Sequence, residues 1–291
     1  MSTPLLLTFD PGSSTIKIGL FIVVAGETTR HLRPHLLQSA SFDTAFHRTQ
    51  TDLVRRFAIT HELFNKGVKR YGFHGLSYQF VIGPLAHQFP QLPRGKLVAA
   101  HLGSGASLCT FEAGKSCDAS MRFSTLDGSP MATRCGALDA SAVLYLLEQQ
   151  GLGIKEVEEM LNEQSGLLGV SGISAGSREL QASHRPEARE ALALVVFRTA
   201  GEIARLATSL GGLDSLVFTA GTGEHQPAIR SAICERLAWL GVEPDPQSND
   251  CNARVISSAR SQVTALVLPT DEEQIIANET VSVLHHEDVK S

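Results

Sequence analysis

The sequence predicts an α/β protein with mixed sheets. Short apolar runs that resemble buried strands alternate with longer segments whose apolar residues recur at helical spacing. Glycine-rich turns join two pairs of these runs into hairpins, which adds antiparallel strands to an otherwise parallel arrangement. Apolar residues make up 43% and charged residues 19% of the 291 positions, so the chain can bury a substantial core.

The predicted strands are short and are bounded by glycine, proline or polar residues. The first two form one hairpin around residues 11–14, and a second hairpin turns at residues 103–106. The run that ends in residues 41–46 is predicted as a short strand that carries Asp43 at its end. The predicted strands are residues 5–10, 15–24, 41–46, 97–102, 107–114, 215–221 and 263–268.

Helices are predicted wherever apolar residues fall on one face. Asp139 is expected to cap one helix, and Thr270 with Glu273 fits a capping box at the start of the last one. Residues 28–38 have no clear period and remain unassigned. The predicted helices are residues 49–66, 76–89, 140–150, 187–210, 227–240 and a last helix that begins near residue 270.

Charge and cysteine usage exclude several classes of function. The formal net charge is −5, so a protein that coats nucleic acid or an anionic membrane is not expected. No apolar run approaches the roughly 20 residues that span a bilayer, and the N-terminus does not resemble a signal peptide. The five cysteines form no C-x-x-C pair, which predicts reduced thiols in a cytoplasmic protein without a zinc site.

Three glycine-rich turns each follow an apolar run, at residues 10–15, 103–107 and 220–224. Glycine lets the backbone approach a ligand closely, and its N–H groups can face phosphate oxygens. One such turn is more often a simple hairpin, but three of them favour a nucleotide cleft. The usual P-loop, G-x-G-x-x-G and G-x-S-x-G patterns do not occur.

Polar residues in four other segments could carry chemistry. They are Asp43 in FDTAFH, His74 in RYGFHG, Arg134 in MATRCG and the carboxylates of residues 271–273. Each has an ordinary structural explanation, because a single histidine is commonly a packing residue and acidic residues at a helix start complement its dipole. The combination is more informative than any single residue.

In this order, DPGSSTIK, FDTAFH, KRYGFHGLS, HLGSGAS, residues 118–139, VFTAGTGE and PTDEE resemble the family of acetate, propionate and butyrate kinases. The resemblance implies a duplicated ribonuclease-H-like fold, shared with actin and sugar kinases, that holds ATP between its halves. The implied domains are residues 1–95, incomplete, and residues 96–291, whose last helix would pack back on the first domain. The family also implies Mg²⁺, ATP, a short carboxylate substrate, the cytoplasm and a homodimer.

The resemblance also implies a role for each matching residue. Arg134, His74 and Asp43 match catalytic groups, and Asp10, Asp43 and Glu272 match groups near Mg²⁺. The implied reaction is direct in-line transfer of the ATP γ-phosphoryl to acetate, a nucleophile that needs no deprotonation. The positions that match the phosphate and nucleotide site are Asp10, Gly12, Ser13, Ser14, Lys17, His101, Gly103, Ser104, Gly105, Gly221 and Gly223.

The chain departs from the family between the first hairpin and FDTAFH, where about a hundred residues are expected but absent. It is either a truncated nucleotide-binding paralogue without kinase activity or part of a longer natural chain. The intact motifs favour the second explanation. Acetate, propionate and butyrate remain open as acceptors, because the absent stretch would line their pocket. A sugar or glycerol kinase is less favoured, because it needs a base to activate an alcohol.

Overall fold

The computed structural model describes residues 8–11, 16–19 and 39–288. Seven strands are assigned in these ranges, and five of them form one mixed sheet. The strands are β1 (Thr8–Pro11), β2 (Ile16–Gly19), β3 (Leu97–Leu102), β4 (Ala106–Glu112), β5 (Lys115–Ala119), β6 (Ser215–Thr219) and β7 (Thr264–Val267).

Helices fill most of the described chain between the strands, and none of those described is long and apolar enough to cross a membrane. Three short segments are 3₁₀ helices: Asp43–Thr49, Leu92–Arg94 and Ala238–Leu240. The α-helices are α1 (Asp52–Arg55), α2 (His61–Asn65), α3 (Gly75–Gln88), α4 (Ala140–Glu148), α5 (Ile154–Glu163), α6 (Gly166–Ser171), α7 (Ser177–Ala182), α8 (Pro186–Leu210), α9 (Ala220–His225), α10 (Pro227–Arg236), α11 (Pro246–Asp250) and α12 (Glu272–Asp288).

The larger sheet has the strand order β5-β4-β3-β6-β7. On one side of β3 runs antiparallel β4, with Leu102 opposite Ala106 across the glycine turn. On its other side runs parallel β6, with His101 opposite Thr219. The second predicted hairpin and the parallel strands are therefore confirmed, and the glycine turn lies at the carboxyl end of β3.

Alternation along the strands gives the sheet two apolar faces, each covered by helices. Val98 and Ala100 of β3 face α8 and α10, where they join one large core. Leu97 and Ala99 face the opposite way and pack with Tyr78 of α3 in a second core. Both faces of this mixed sheet are thus buried, which explains why its central strands are apolar on both faces.

The first predicted hairpin is confirmed as the separate antiparallel pair of β1 and β2, with Thr8 opposite Gly19. Helix α12 contacts both α3 and β1. Division of the chain at residue 95 into two domains stays a prediction.

Two sequence predictions in the segment before α3 are wrong. Residues 41–46 do not form a strand, because the chain winds into the 3₁₀ helix at Asp43, whose carboxylate binds the backbone of α3. Residues 49–66 do not form one helix but the separate α1 and α2. Leu53 is 86% exposed, so the apolar face that predicted a long helix is not buried.

Capping was predicted correctly at one helix and wrongly at another. Asp139 accepts a hydrogen bond from Ser141 N–H at 2.7 Å, as expected for an N-cap. At α12 the cap is Asp271 rather than Thr270, because Asp271 Oδ1 accepts from Gln274 N–H at 3.0 Å. Asp271 lies three residues before that amide, which is the distance a capping side chain can span.

Candidate active site

The N-terminal end of α3 brings together three of the residues that the sequence singled out. Asp43 Oδ1 accepts a hydrogen bond from Leu76 N–H at 3.1 Å. Ser77 Oγ donates to Glu272 Oε1, which joins the start of α12 to the start of α3. His74 is the residue immediately before α3. Two carboxylates and an imidazole therefore surround a helix N-terminus, where negative charge is stabilised.

This assembly depends on glycine at position 75. A Cβ at Gly75 would lie 2.0 Å from the carbonyl oxygen of Asp43, so no other residue fits without displacing the 3₁₀ helix. His74 itself has φ 56° and ψ 32°, a left-handed conformation that is unfavourable for a histidine. Backbone strain of this kind persists only where surrounding contacts enforce it, and it concentrates at functional positions.

His47 supplies one of those contacts, and sequence reasoning did not identify it. Its Nε2–H donates to the carbonyl oxygen of Phe73 at 3.0 Å, and its Nδ1 lies 2.8 Å from Ser116 Oγ. The ring is buried, and burial lowers its pKa from 6.5 to about 4. A neutral His47 therefore fixes the peptide that precedes His74. The feature of the sequence that could have identified His47 is its position as the last residue of the FDTAFH motif.

The glycine turn between β3 and β4 faces this assembly. The rings of His74 and His101 lie 4.4 Å apart between centroids and meet edge to face. A Cβ built on Gly105 would lie 3.4 Å from His74 Cε1 and 3.6 Å from Arg134 Nη1. Gly105 therefore keeps a space open between a histidine and an arginine that are 60 residues apart in the chain.

Arg134 reaches this point from a loop that is fastened to the glycine turn. Ala132 N–H donates to Ser104 O at 3.2 Å, and Arg134 O accepts from Met131 N–H at 3.0 Å. The guanidinium makes long contacts to Thr125 O at 3.4 Å and to Met131 Sδ at 3.6 Å. No carboxylate in the described residues lies within ion-pairing distance of it. Partial burial lowers its pKa, although it stays protonated at neutral pH. A partly buried cation without an anion is suited to bind one.

A cavity of about 440 Å³ adjoins the other side of the glycine turn. Leu102, Gly103 and Ser104 form one wall, and Gly221 with Thr222 forms another. Its volume is in the range typical of small-molecule sites. The cavity and the space at Gly105 thus share one glycine turn, so an elongated anionic ligand could extend from one to the other.

The predicted turn at residues 220–224 is instead the short helix α9. Ala220 has φ 64°, and Gly221 and Gly223 lie in the first turn of the helix. The buried guanidinium of Arg230 donates to the carbonyl oxygens of Gly223 and Glu224, each at 2.9 Å. These bonds hold the carboxyl-terminal half of α9.

The remaining predicted positions lie near the first hairpin. Asp10 is in β1 opposite Lys17 in β2. Gly12, Ser13 and Ser14 lie outside the described residues. No group of three or more acidic, histidine or cysteine side chains that could hold a metal occurs among those described.

Two further hydroxyls were not predicted as site residues: the sequence did not single out Thr219, and it assigned Thr270 only as a helix cap. Thr219 Oγ1 and Thr270 Oγ1 are buried and hydrogen-bond with no other described group. Thr219 ends β6, and Thr270 lies three residues after the end of β7. Ligands in open α/β sheets usually lie at the carboxyl ends of parallel strands. The position of these two threonines at or just after the ends of predicted strands was the feature of the sequence that could have identified them.

The sheet, the glycine turn and an arginine without a described carboxylate partner define an α/β protein with a cleft suited to bind an anion. A model of the acetokinase family matches residues 22–278. The chain is 49% identical over 261 residues to an acetate kinase from Rhodopseudomonas palustris, with 88% of this chain and 65% of the relative covered. It is 46% identical over 251 residues to one from Nitrobacter hamburgensis, with 86% and 62% covered. The chain belongs to the acetokinase family.

Solved structures agree with this assignment and confirm the predicted fold class. The acetate kinase of Porphyromonas gingivalis superimposes with a TM-score of 0.82 at 35% identity, covering 88% of this chain and 66% of that one. A propionate kinase from Francisella tularensis gives 0.82 at 37% identity, covering 86% and 66%. The chain spans 62–65% of the length of the curated relatives cited, in agreement with the expected absence of a long segment.

Replacement of Gly105 by alanine should disable the site without unfolding the protein. Its added methyl group would meet His74 and Arg134 at ordinary contact distance, so the fold tolerates it but the space between them is filled. We expect the phosphoryl transfer proposed below to fall by about 10²-fold, because a methyl group in that space would shift a bound phosphoryl group, and a shift of about 1 Å costs that much at a reacting centre. Gly201→Ala on α8, where nothing lies within 4 Å, is the matched control and should retain activity. Equal activity of the two variants would contradict the assignment.

His47 should make stability depend on pH in a defined window. Its pKa of about 4 in the folded protein lies below the 6.5 of the unfolded chain. The unfolded state therefore binds the extra proton between pH 6.5 and 4, and stability falls as the pH is lowered through that window. We expect the wild type to lose up to about 3 kcal/mol more than His47→Gln, measured by urea unfolding at pH 7, 5.5 and 4.5. Parallel pH profiles for the two proteins would exclude this role.

Proposed function

We propose that the chain catalyses reversible, Mg²⁺-dependent transfer of the γ-phosphoryl group of ATP to acetate, giving acetyl phosphate and ADP. The observation that carries the proposal is the position of Arg134, a partly buried guanidinium without a described carboxylate partner, beside Gly105 and His74. Phosphoryl groups in transit spread negative charge over their oxygens, and fixed cationic donors stabilise that charge.

Each residue of the cluster has a role in this proposal. Arg134 donates to the equatorial oxygens of the transferred group, and His74 donates from the opposite side of Gly105. Gly103, Ser104 and Gly105 offer their backbone to the phosphate chain, while Gly221 and Gly223 border the nucleoside. Acetate attacks through a carboxylate oxygen that is already ionised at neutral pH, so no general base is required. Loss of the in-line geometry, rather than loss of a base, is what would stop the reaction.

The carboxylates near α3 fit a magnesium site. Asp43 and Glu272 each use one oxygen to bind residues at the start of α3, and neither forms a described ion pair. Mg²⁺ in kinases commonly takes one or two carboxylates and completes its shell with phosphates and water, so a larger acidic cluster is not needed. Asp43, Glu272 and Asp10 would hold the ion, which would offset the charge of the phosphates when bound.

A second candidate function is nucleotide binding without phosphoryl transfer. It is favoured by one observation, namely that the chain spans only 62–65% of the acetate kinases cited above. The acceptor also stays open between acetate and propionate, because the similar structure from Francisella tularensis is that of a propionate kinase.

The homodimer and the cytoplasmic location are also kept as proposals. Helix α4 buries none of its side chains, and its Leu144 and Tyr145 are about half exposed. A helix that exposes large apolar residues in this way supports contact with a second copy of the chain. All five cysteines are free, which supports a reducing compartment.

The proposed reaction is tested by trapping its product. The chain, ATP and acetate are incubated with hydroxylamine, which converts acyl phosphate to a hydroxamate that is measured as its coloured ferric complex. Propionate and butyrate are tested in parallel. We expect product with Mg²⁺, none after chelation, and the highest kcat/KM for acetate. ATP binding by calorimetry without hydroxamate from any acceptor would establish the second candidate instead.

Arg134→Ala should separate binding from chemistry. Removal of one fixed donor to the transition state costs about 10²–10³ in kcat. ATP affinity should change by about threefold or less, because most of its contacts lie elsewhere in the cavity. Arg260→Ala is the control, because the Arg260 side chain is 84% exposed, pairs with Glu243 and does not line the cavity. A loss of thermal stability with unchanged kcat would refute a catalytic Arg134.

A further inference from the structure

Thr199 stands out among the residues that line the cavity. Leu192, Val195 and Thr199 are spaced three and four residues apart on α8, so they form one stripe that faces the cavity. Thr199 is fully buried. Its Oγ1 hydrogen-bonds with no other group in the described part of the chain.

This arrangement is unusual for a threonine within a helix. A buried threonine hydroxyl in a helix commonly donates a hydrogen bond to the backbone carbonyl oxygen one turn earlier. Thr208 on the same helix does this with Ala204 O at 3.1 Å, and Thr280 on α12 does it with Ile276 O at 2.7 Å. Thr199 makes no such bond, so its hydroxyl is available to an occupant of the cavity.

The surroundings indicate which part of a ligand would reach this hydroxyl. The charged residues that line the cavity, Arg178 and Glu179, lie on α7. Ile229 and Ile233 of α10 line it together with the apolar stripe of α8, and these two walls offer no charged group. A phosphate would lose hydration against them without compensation. A nucleoside suits them, because it combines apolar ring faces with hydrogen-bonding edges and hydroxyls.

We propose that Thr199 Oγ1 hydrogen-bonds the nucleoside portion of the nucleotide that occupies the cavity beside Gly103 and Gly221. The inference rests on the proposed nucleotide site and adds a residue that determines its affinity for the nucleoside. It also predicts a conflict between binding and stability, since the hydroxyl destabilises the free protein and stabilises the complex.

The isosteric variant Thr199→Val tests both the proposed hydrogen bond to the nucleoside and the proposed cost to the stability of the free protein. Binding of ATP and of inorganic tripolyphosphate, which carries phosphates but no nucleoside, is measured by calorimetry with Mg²⁺ and without acceptor. We expect ATP to bind about tenfold more weakly to the variant and tripolyphosphate to bind equally well. The melting temperature of the free variant should rise by about 2–4 °C.

Ser215→Ala is the matched control. Ser215 is also fully buried with an unpartnered hydroxyl, but it does not line the cavity. It should leave the affinity for both ligands unchanged. Unchanged ATP affinity in Thr199→Val, or equal weakening of ATP and tripolyphosphate, overturns the inference while the nucleotide site stands. Failure of the wild-type chain to bind ATP overturns both, and is recognised before any variant is compared.

Discussion

The site depends on the close contact between the 3₁₀ helix at Asp43 and the first residue of α3, which only glycine at position 75 allows. That contact brings the Asp43 carboxylate to the Leu76 amide and lets His47 reach the peptide before His74. Because His74 is held in a left-handed conformation, its ring projects across the helix start toward the glycine turn. A local backbone constraint thus fixes the relative position of groups that come from three distant segments.

Arginine pairing shows where the protein is prepared for an anion. Arg70 and Arg205 share the buried carboxylate of Asp118, at 2.9 and 2.8 Å, and tie β5 to α8 and to the segment before α3. Arg230 is enclosed by neutral acceptors in the α9 and α11 region. Those three serve the fold, because their hydrogen bonds are satisfied internally. Within the described residues, Arg134 differs in making only long contacts to neutral groups, so its charge is available for a ligand.

Local pattern predicted the elements that bury a regular face, such as β3, α8 and the hairpin of β3 and β4, because periodicity reports burial directly. It failed at residues 41–66, because residues 43–49 are set by contacts with α3 and the helices α1 and α2 bury no side chain. Residues 134 and 105 meet through tertiary structure that no spacing rule contains, and only resemblance to a family indicated their proximity. Thr199 lies among the buried residues of α8, and the sequence does not distinguish it from them. What distinguishes it is that its hydroxyl has no hydrogen-bond partner among the described residues.

The two candidate functions differ in which part of the molecule they require. Every residue that lines the 440 Å³ cavity lies between positions 102 and 233, within the body built on the five-stranded sheet. That body has its own continuous cores on both faces, so nucleotide binding has the support that it needs. Transfer also requires a site that holds the acceptor in line with Arg134 and His74, and neither of these two residues lines the cavity. If the chain binds ATP but does not transfer its phosphoryl group, the missing function is therefore that of holding the acceptor near His74 and Arg134, and the nucleotide cleft is intact.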